Sequence, residues 1–352
     1  MRAARYYGEG DVRIEDVEPD DVGPNDVRID VAACGICGSD LHEYAAGPMT
    51  IPTEPHPVTG EALPFTIGHE IGGTVAEVGE NVDVAVGTTV AVNPIVWCGS
   101  CRPCERGDYH LCENGGFVGL SRNGGFAENV VVSAEKVVPV PDAVSPELAS
   151  LVEPFSVGLH AVHQADLSAG ESVVVFGGGP IGNTVAQAAR AANAGPVYLS
   201  EPQDARREAA ERVGVEHVID PMETDPVEHV RAATGGVDVA FEVAGIEQTL
   251  NQAIDVTRAG GRTTIVSLFE ESATVHPTDV VTRERTVNGT AAFHGGPRSQ
   301  EEAGVTARNF ADGTLDPEAL VTARIALEDI VEEGFERLLD PDSQEMKVLV
   351  QP

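Results

Sequence analysis

Lysine is almost absent from this chain, and so are long apolar runs. Only Lys136 and Lys347 are lysines among 22 basic residues, against 57 acidic residues in a chain of 352. A protein that neutralises nucleic-acid phosphates needs a basic face, so the composition argues against a nucleic-acid partner. No stretch approaches the ~20 consecutive apolar residues of a membrane span, so no membrane association is expected.

The acidic residues are spread along the whole chain and leave a formal net charge of −35. Repulsion on this scale destabilises a compact fold at low ionic strength, whereas at molar salt the screening length falls to about 3 Å. The composition therefore predicts a cytoplasmic protein of a salt-accumulating halophile. The first residues, Met1 to Tyr7, contain no apolar core of a secretory signal, which agrees with that compartment.

Four of the six cysteines lie in one short stretch with the spacing C-x2-C-x2-C-x7-C: Cys98, Cys101, Cys104 and Cys112. Thiolates at this spacing reach one metal from a single loop, which predicts a closed, tetrahedral zinc site. The alternative of two disulfides requires an oxidising compartment. Because a closed site leaves no position for a substrate, this zinc is expected to be structural.

The chain changes rhythm in its middle. Short β-like segments bounded by Gly, Pro, Asn and Asp fill the first half, which predicts a barrel-like β domain. Strands and helices then alternate, which predicts a parallel sheet with helices on both faces. Expected strands lie at 172–176, 196–200, 217–219, 237–242, 261–266 and 346–350, and expected helices at 181–192 and 204–213. The predicted domains are 1–155, 156–292 and a C-terminal segment, 293–352, that returns to the first domain.

A dinucleotide-binding frame, G-x-G-x-x-G, follows the first strand of the second half and opens a helix at Pro180 and Ile181. Its glycines, Gly177, Gly179 and Gly182, permit a tight turn, the approach of pyrophosphate, and close helix packing. In this context a flavodoxin-like or methyltransferase sheet is the alternative.

An acidic residue, Glu201, lies at the end of the strand that follows the glycine frame. Glu201 is expected to accept hydrogen bonds from the adenosine ribose, and its charge would repel a 2′-phosphate, which favours NAD over NADP. Arg206 and Arg207 follow closely, and arginines at this point can receive a 2′-phosphate. Glu201 therefore predicts NAD, and the two arginines count against that prediction.

A second set of metal-binding residue types is dispersed along the chain: Cys37, His69, Glu70 and Glu153. One thiolate, one imidazole and a carboxylate form the mixed, open set of a catalytic zinc. Singly, each is more often an ordinary buried residue, as Cys34 is expected to be. Spacing alone does not bring these positions together.

Taken together, the motifs resemble the zinc-dependent medium-chain dehydrogenases over essentially the whole chain. The matching stretches are G-I-C-G-S-D-L-H at 35–42, G-H-E at 68–70, the four-cysteine loop at 98–112, L-V-E-P at 151–154 and G-G-G-P-I-G at 177–182. Within the family, the segments around 41–48, 52–64 and 116–128 are most similar to the 2,3-butanediol dehydrogenase branch. The resemblance implies a GroES-like β-barrel catalytic domain that holds two zinc ions, a Rossmann domain, and an active site in the cleft between them.

The resemblance also implies roles for individual residues. Cys37 and His69 would bind the catalytic zinc with either Glu70 or Glu153, and Asp40 would orient His69. Ser39 would take the substrate proton and pass it through the cofactor ribose to His42. Lys347 would lie near the cofactor pyrophosphate.

The implied reaction is the reversible, NAD-dependent oxidation of a secondary alcohol or vicinal diol, of the 2,3-butanediol/acetoin type. Sorbitol-type or threonine substrates, and a non-catalytic zinc protein that binds NAD, are the alternatives. A dimer or tetramer is expected, because both occur in the family.

Overall fold

The computed structural model describes every residue from Met1 to Pro352. The chain divides into two units: the first contains Met1–Glu153, Phe293–Gly313 and Val321–Pro352, and the second contains Pro154–Ala292 and Thr314–Leu320. The short segment Thr314–Leu320 is a correction, because it was expected in the C-terminal part of the first domain. Its place is fixed by hydrogen bonds such as those that join the Gln187 side chain to the Asp316 backbone.

The first unit is built mainly from strands. They are β1 (Arg2–Gly8), β2 (Asp11–Asp16), β3 (Asp26–Gly35), β4 (Phe65–Thr66), β5 (Glu70–Val78), β6 (Thr89–Val92), β7 (Ile95–Val96), β8 (Gly116–Phe117), β9 (Asn129–Ser133) and β10 (Val137–Pro139). In β3 the apolar Val27, Ile29 and Val31 alternate with Arg28 and Asp30, so one face enters the core.

The second unit contains six strands in one parallel sheet. They are β11 (Val173–Phe176), β12 (Val197–Ser200), β13 (His217–Ile219), β14 (Val237–Glu242), β15 (Thr257–Ile265) and β16 (Thr286–Gly289). Their order is β13-β12-β11-β14-β15-β16, so the chain direction across the sheet reverses between β11 and β14. This is the doubly wound order predicted from the alternating strands and helices, and ligands bind at such a reversal.

The C-terminal part returns to the first unit with β17 (Val321–Ala326) and β18 (Lys347–Gln351). β18 pairs with β3 in the antiparallel sense, and the sheet of seven strands follows the path β10-β6-β5-β3-β18-β17 with β9 also paired to β3. β18 lies one residue later than the expected strand at 346–350. Separate cores of Val, Ile and Phe fill the two units.

The helices are short, and none is both long and apolar enough to cross a membrane. They are α1 (Gly38–Ala46), α2 (Arg102–Glu105), α3 (Val152–Gln164), α4 (Pro180–Ala191), α5 (Asp204–Arg212), α6 (Pro226–Thr234), α7 (Glu247–Val256), α8 (Pro277–Val281), α9 (Ser299–Ala311) and α10 (Arg337–Leu339). Single 3₁₀ turns and a π-helical turn, Ile330–Glu336, complete the chain.

Candidate metal centres and dinucleotide site

The four-cysteine loop is inserted between the two strands of a small ribbon, β7 and β8. The four sulfurs lie within 4.8 Å of one another, with Cys101 Sγ 3.4 Å from Cys104 Sγ and 3.8 Å from Cys112 Sγ. Sulfurs about 2.3 Å from a tetrahedral zinc are about 3.8 Å apart, whereas a disulfide needs about 2.05 Å. All six cysteines of the chain are free, so the disulfide alternative is not the arrangement formed.

Without a metal ion, the thiols of this loop have very different pKa values. Hydrogen bonds from Ser100 lower the pKa of Cys98 to about 5, whereas burial and the neighbouring sulfurs raise the pKa of Cys104 to about 12. A cation among the sulfurs would allow all four to ionise together. The four thiolates therefore fit a zinc ion whose coordination is complete, which leaves no position for a substrate.

Three of the dispersed residues meet in the first unit. Cys37 directly precedes α1, His69 directly precedes β5, and Glu70 is the first residue of β5. Their ligand atoms lie within 4.8 Å of one another. Glu153 lies in the first turn of α3 and is not one of these three. The fold thus brings together a sulfur, an imidazole nitrogen and a carboxylate from two segments about 30 residues apart.

Asp40 and Ser39 flank His69 on opposite ring nitrogens. Asp40 is fully buried, with Oδ1 3.5 Å from His69 Nδ1, while its Oδ2 accepts from the Cys37 backbone N–H at 2.9 Å. Ser39 Oγ lies 3.4 Å from His69 Nε2. Burial lowers the pKa of His69, but the negative charges of Asp40 and Cys37 outweigh it and hold the pKa well above its usual value. His42 lies one turn after Ser39 on α1 and is exposed.

Lys347 is bonded to a carboxylate of the metal-binding cluster. Its Nζ is buried and donates to both carboxylate oxygens of Glu70, at 2.6 and 2.8 Å, and to the Ile36 carbonyl at 2.9 Å. These three bonds use all three ammonium donors. In this structure the lysine neutralises Glu70, and its assignment to the cofactor pyrophosphate stays a prediction.

The site as a whole carries more negative than positive groups. Glu153 is buried, which raises its pKa to about 7; His69 lowers that pKa and the charge of Glu70 raises it further. Further acidic groups come from Cys37, Asp40 and Glu70. The ammonium group of Lys347 is bonded to Glu70. Such a set fits a divalent metal with nitrogen, sulfur and oxygen ligands.

In the second unit the glycine frame forms the turn from β11 into α4. Gly177 has φ +103°, which favours glycine, and Gly179 caps the helix that begins with Pro180 and Ile181. A Cβ on Gly182 would lie 1.8 Å from the Gly177 carbonyl, whereas a Cβ on Gly179 would meet only Arg206 Nη1, at 3.7 Å. The third glycine is thus required by helix packing, and the second leaves backbone open to a phosphate.

Glu201 follows β12 and bonds to this turn. Its Oε2 accepts from the Gly178 N–H at 2.7 Å and its Oε1 from the Gln203 N–H at 2.9 Å. Arg206 Nη1 lies 3.9 Å from Oε2. Arg207 instead binds the carbonyls of Glu201 and Pro202 and forms ion pairs with Asp204 and Asp220.

Sequence reasoning missed a residue that supports the same turn. Asn183 is fully buried on α4, and its Nδ2 donates to the Gly178 carbonyl at 2.6 Å and to the Gly179 carbonyl at 3.3 Å. Its position, one residue beyond the last glycine of the frame, was the available signal. A side-chain amide there can return to the loop from the first turn of the helix.

The first unit, with its cysteine–histidine–glutamate cluster, and the second unit, with its glycine turn and following acid, define a zinc-binding, nicotinamide-dependent dehydrogenase. Residues 23–142 match the family model of the alcohol dehydrogenase GroES-like domain, and residues 180–308 match that of zinc-binding dehydrogenases. The chain belongs to the zinc-dependent medium-chain dehydrogenase family, as its motifs predicted.

Individual relatives cover the chain from end to end. It is 43% identical to (R,R)-butanediol dehydrogenase of Bacillus subtilis, with 100% of both chains covered. It is 34% identical to sorbitol dehydrogenase of the same organism, over 100% of this chain and 97% of that one. The crystal structure of 2R,3R-butanediol dehydrogenase from Bacillus subtilis superposes with a TM-score of 0.92, covering 100% and 99% of the two chains.

Proposed function

We propose that this protein oxidises a secondary hydroxyl of a vicinal diol, of the 2,3-butanediol/acetoin type, to the ketone, with NAD as the hydride acceptor. The observation that carries the proposal is the convergence of Cys37, His69 and Glu70, with Ser39 beside the histidine. The full-length similarity to butanediol dehydrogenases supports the substrate class.

Each residue of the cluster has a separate task. Cys37 and His69 hold a zinc ion, with Glu70 or Glu153 completing the set. When zinc is bound there, it acts as a Lewis acid that lowers the pKa of the substrate hydroxyl. Asp40 keeps the proton of His69 on Nδ1, so that Nε2 is left to bind the metal. Ser39 accepts the substrate proton, and His42, one turn later, takes it towards solvent.

The choice of the carboxylate that binds zinc depends on Glu70, for which Lys347 and the metal compete. Lys347 already donates to both oxygens of Glu70, whereas burial keeps the pKa of Glu153 near 7. A carboxylate oxygen of Glu70 lies within 4.8 Å of the ligand atoms of Cys37 and His69. We therefore propose that Glu70 gives up Lys347 when it binds the metal, and that Glu153 is the third ligand as long as Glu70 stays bonded to Lys347.

NAD is proposed over NADP from the second unit. Glu201 is buried at the end of β12, where its charge repels a 2′-phosphate. Arg207 is committed to acids and carbonyls, which leaves Arg206 as the one nearby arginine placed beside the glycine turn. The four cysteines hold a second, structural zinc.

Three further expectations remain proposals. The free cysteines suit a reducing cytoplasm. The net charge of −35 suits a salt-accumulating cell. A dimer or tetramer is proposed from the family resemblance.

Initial rates at molar KCl, with metal analysis of the same sample, test the proposal. The panel is (R,R)-2,3-butanediol, sorbitol, L-threonine and 2-butanol, each with NAD and NADP. We expect the highest kcat/KM with the diol and NAD. A preference for sorbitol, which the sorbitol dehydrogenase relative makes the second candidate, would overturn the substrate class. No turnover of any alcohol by zinc-loaded protein would overturn the activity.

A further inference from the structure

Glu242 is a fully buried carboxylate at the C-terminal end of β14 that no cation neutralises. Its Oε1 accepts from the backbone N–H groups of Ala244 and Gly245, both at 2.9 Å, and from the Thr249 hydroxyl at 2.7 Å. Its Oε2 accepts from the Ser267 hydroxyl. Hydrogen-bond donors of this kind stabilise an ionised carboxylate, so the site stores a negative charge without a counter-ion.

The residues bonded to Glu242 belong to two turns at the ligand-binding edge of the sheet. Ala244 and Gly245 form the turn from β14 into α7, and Ser267 follows β15. The first of these turns touches the glycine turn directly, because a Cβ on Gly177 would lie 3.0 Å from the Val243 carbonyl carbon and 3.1 Å from the Ala244 nitrogen. Glu242 therefore ties together the turns next to the dinucleotide frame.

The order of the strands shows which half of a dinucleotide these turns would face. Glu201, the acid suited to the adenosine ribose, follows β12 on one side of the chain reversal. β14 lies on the other side, next to β11, and β15 lies beyond β14. In a doubly wound fold with two mononucleotide halves, that side belongs to the second mononucleotide. Glu242 is therefore on the side of the sheet that would hold the nicotinamide half.

We propose that Glu242 is a positioning residue for the nicotinamide half, and that its charge favours the oxidised cofactor over the reduced one. This inference rests on the proposed function. The nicotinamide ring carries one positive charge when oxidised and none after it has received the hydride. A buried negative charge nearby lowers the free energy of the oxidised form alone, because the rest of the dinucleotide is the same in both.

Glu242→Gln tests the proposal, since the amide keeps the size and one acceptor oxygen while removing the charge. The matched control is Asp238→Asn on the same strand, whose carboxylate accepts from the Ser172 N–H and hydroxyl, at 2.8 and 2.7 Å, and from Arg258 Nε at 2.6 Å. Asp238 lies near the opposite end of β14, away from the turns. Kd values for NAD+ and NADH are measured by calorimetry on folded, zinc-loaded protein.

We expect Glu242→Gln to raise the ratio Kd(NAD+)/Kd(NADH) by at least about threefold, a modest Coulomb effect for one charge at an intermediate dielectric constant. Asp238→Asn should leave the ratio unchanged. An unchanged ratio in Glu242→Gln overturns the proposal, even if both cofactors bind more weakly, because lost turn structure alone weakens both forms alike.

If Glu242→Gln does not fold, Glu242→Asp decides. The aspartate retains the charge but its shorter side chain loses bonds to the turns, so weaker binding of both forms supports the positioning role, and binding of both forms as tight as in wild type, or a changed ratio, overturns the proposal. Should the protein prefer NADP, the same ratio is measured with NADP+ and NADPH. Wild-type protein that binds none of these nucleotides would refute the proposed function itself, a result distinct from an unchanged ratio.

Discussion

Both lysines of this acidic chain are buried, and each has one specific partner set. Lys347 is bonded to Glu70 beside the candidate metal centre. Lys136 lies with its Nζ 4.1 Å from the centre of the Trp97 ring and donates to the Ile95 carbonyl. The exposed basic residues are therefore arginines, and both lysines form buried contacts.

Replacing Lys347 by Met should destabilise the protein strongly. The change leaves the Glu70 carboxylate buried without its cation, and breaking a buried pair in this way costs about 3–5 kcal/mol. Urea denaturation in molar KCl measures the loss. The control is the double variant Lys347→Met with Glu70→Leu, which removes both charges and should recover most of the stability. Equal stability of wild type and Lys347→Met would contradict the assigned pair.

Lys136 should make stability depend on pH. Burial lowers its pKa from 10.5 to about 7. Between these values the unfolded chain binds the proton that the folded chain has lost, so the free energy of unfolding rises with pH from about 7 to about 10.5. The slope approaches about 1.4 kcal/mol per pH unit. Lys136→Met should remove it. An identical pH dependence in both proteins would show that Trp97 and Ile95 keep the ammonium charged.

At the residue scale, the sequence predicted site residues that lie in short motifs. It missed contacts that form only because distant strands pair. Cys37 and His69 are recognisable because each lies in a distinctive short motif. The Glu70–Lys347 pair is different: it exists because β18 pairs with β3, Leu349 opposite Gly35, next to the start of β5. No local pattern reports a contact across 277 positions of the chain. Asn183 was missed because its partners are backbone carbonyls of a turn. Glu242 was missed because the fold brings its partners, backbone N–H groups and two hydroxyls, together from separate segments.

At the scale of elements, the glycine turn offers two substitutions, of which one should destabilise the fold and the other should leave it intact. Gly182→Ala should lower both the melting temperature and cofactor affinity, because its Cβ would lie 1.8 Å from the Gly177 carbonyl. Gly179→Ala should fold normally, since its Cβ meets only Arg206, but should weaken cofactor binding by about 1–3 kcal/mol, as an overpacked contact does. Thermal melting and NADH titration check both. Normal NADH binding by Gly179→Ala would contradict the phosphate cradle.

Buried strands were the elements that the sequence predicted best. The expected strands 217–219 and 237–242 coincide with β13 and β14, and the others agree less closely at their ends, where β15 begins four residues early. α3 was not predicted as a helix, because its apolar L-V-E-P start was interpreted only as a ligand motif. The ribbon of β7 and β8 is too short for a periodicity signal, and its pairing depends on the loop that it flanks.

At the scale of the whole molecule, charge dominates. Pairing every basic residue would still leave an excess of 35 acidic charges. We expect the melting temperature to rise from 0.05 to 2 M KCl and to level off once the screening length falls to a few Å. KCl is chosen because strongly kosmotropic salts such as sulfate stabilise by exclusion instead. A melting temperature independent of KCl would contradict adaptation to salt.

The division into two units was largely visible as the change from β-rich to alternating sequence. The place of Thr314–Leu320 was not, because it depends on side-chain bonds from Gln187 and Arg212 of the second unit rather than on composition.

The central claim is an open zinc site that includes Cys37 and is separate from the four-cysteine site. Zinc content per chain tests it most directly, measured by atomic emission on wild type, Cys37→Ala and the control Cys34→Ala. Cys34 is a fully buried cysteine outside the cluster. We predict two zinc ions in wild type and in Cys34→Ala, and one in Cys37→Ala. Two zinc ions in folded Cys37→Ala would contradict the account.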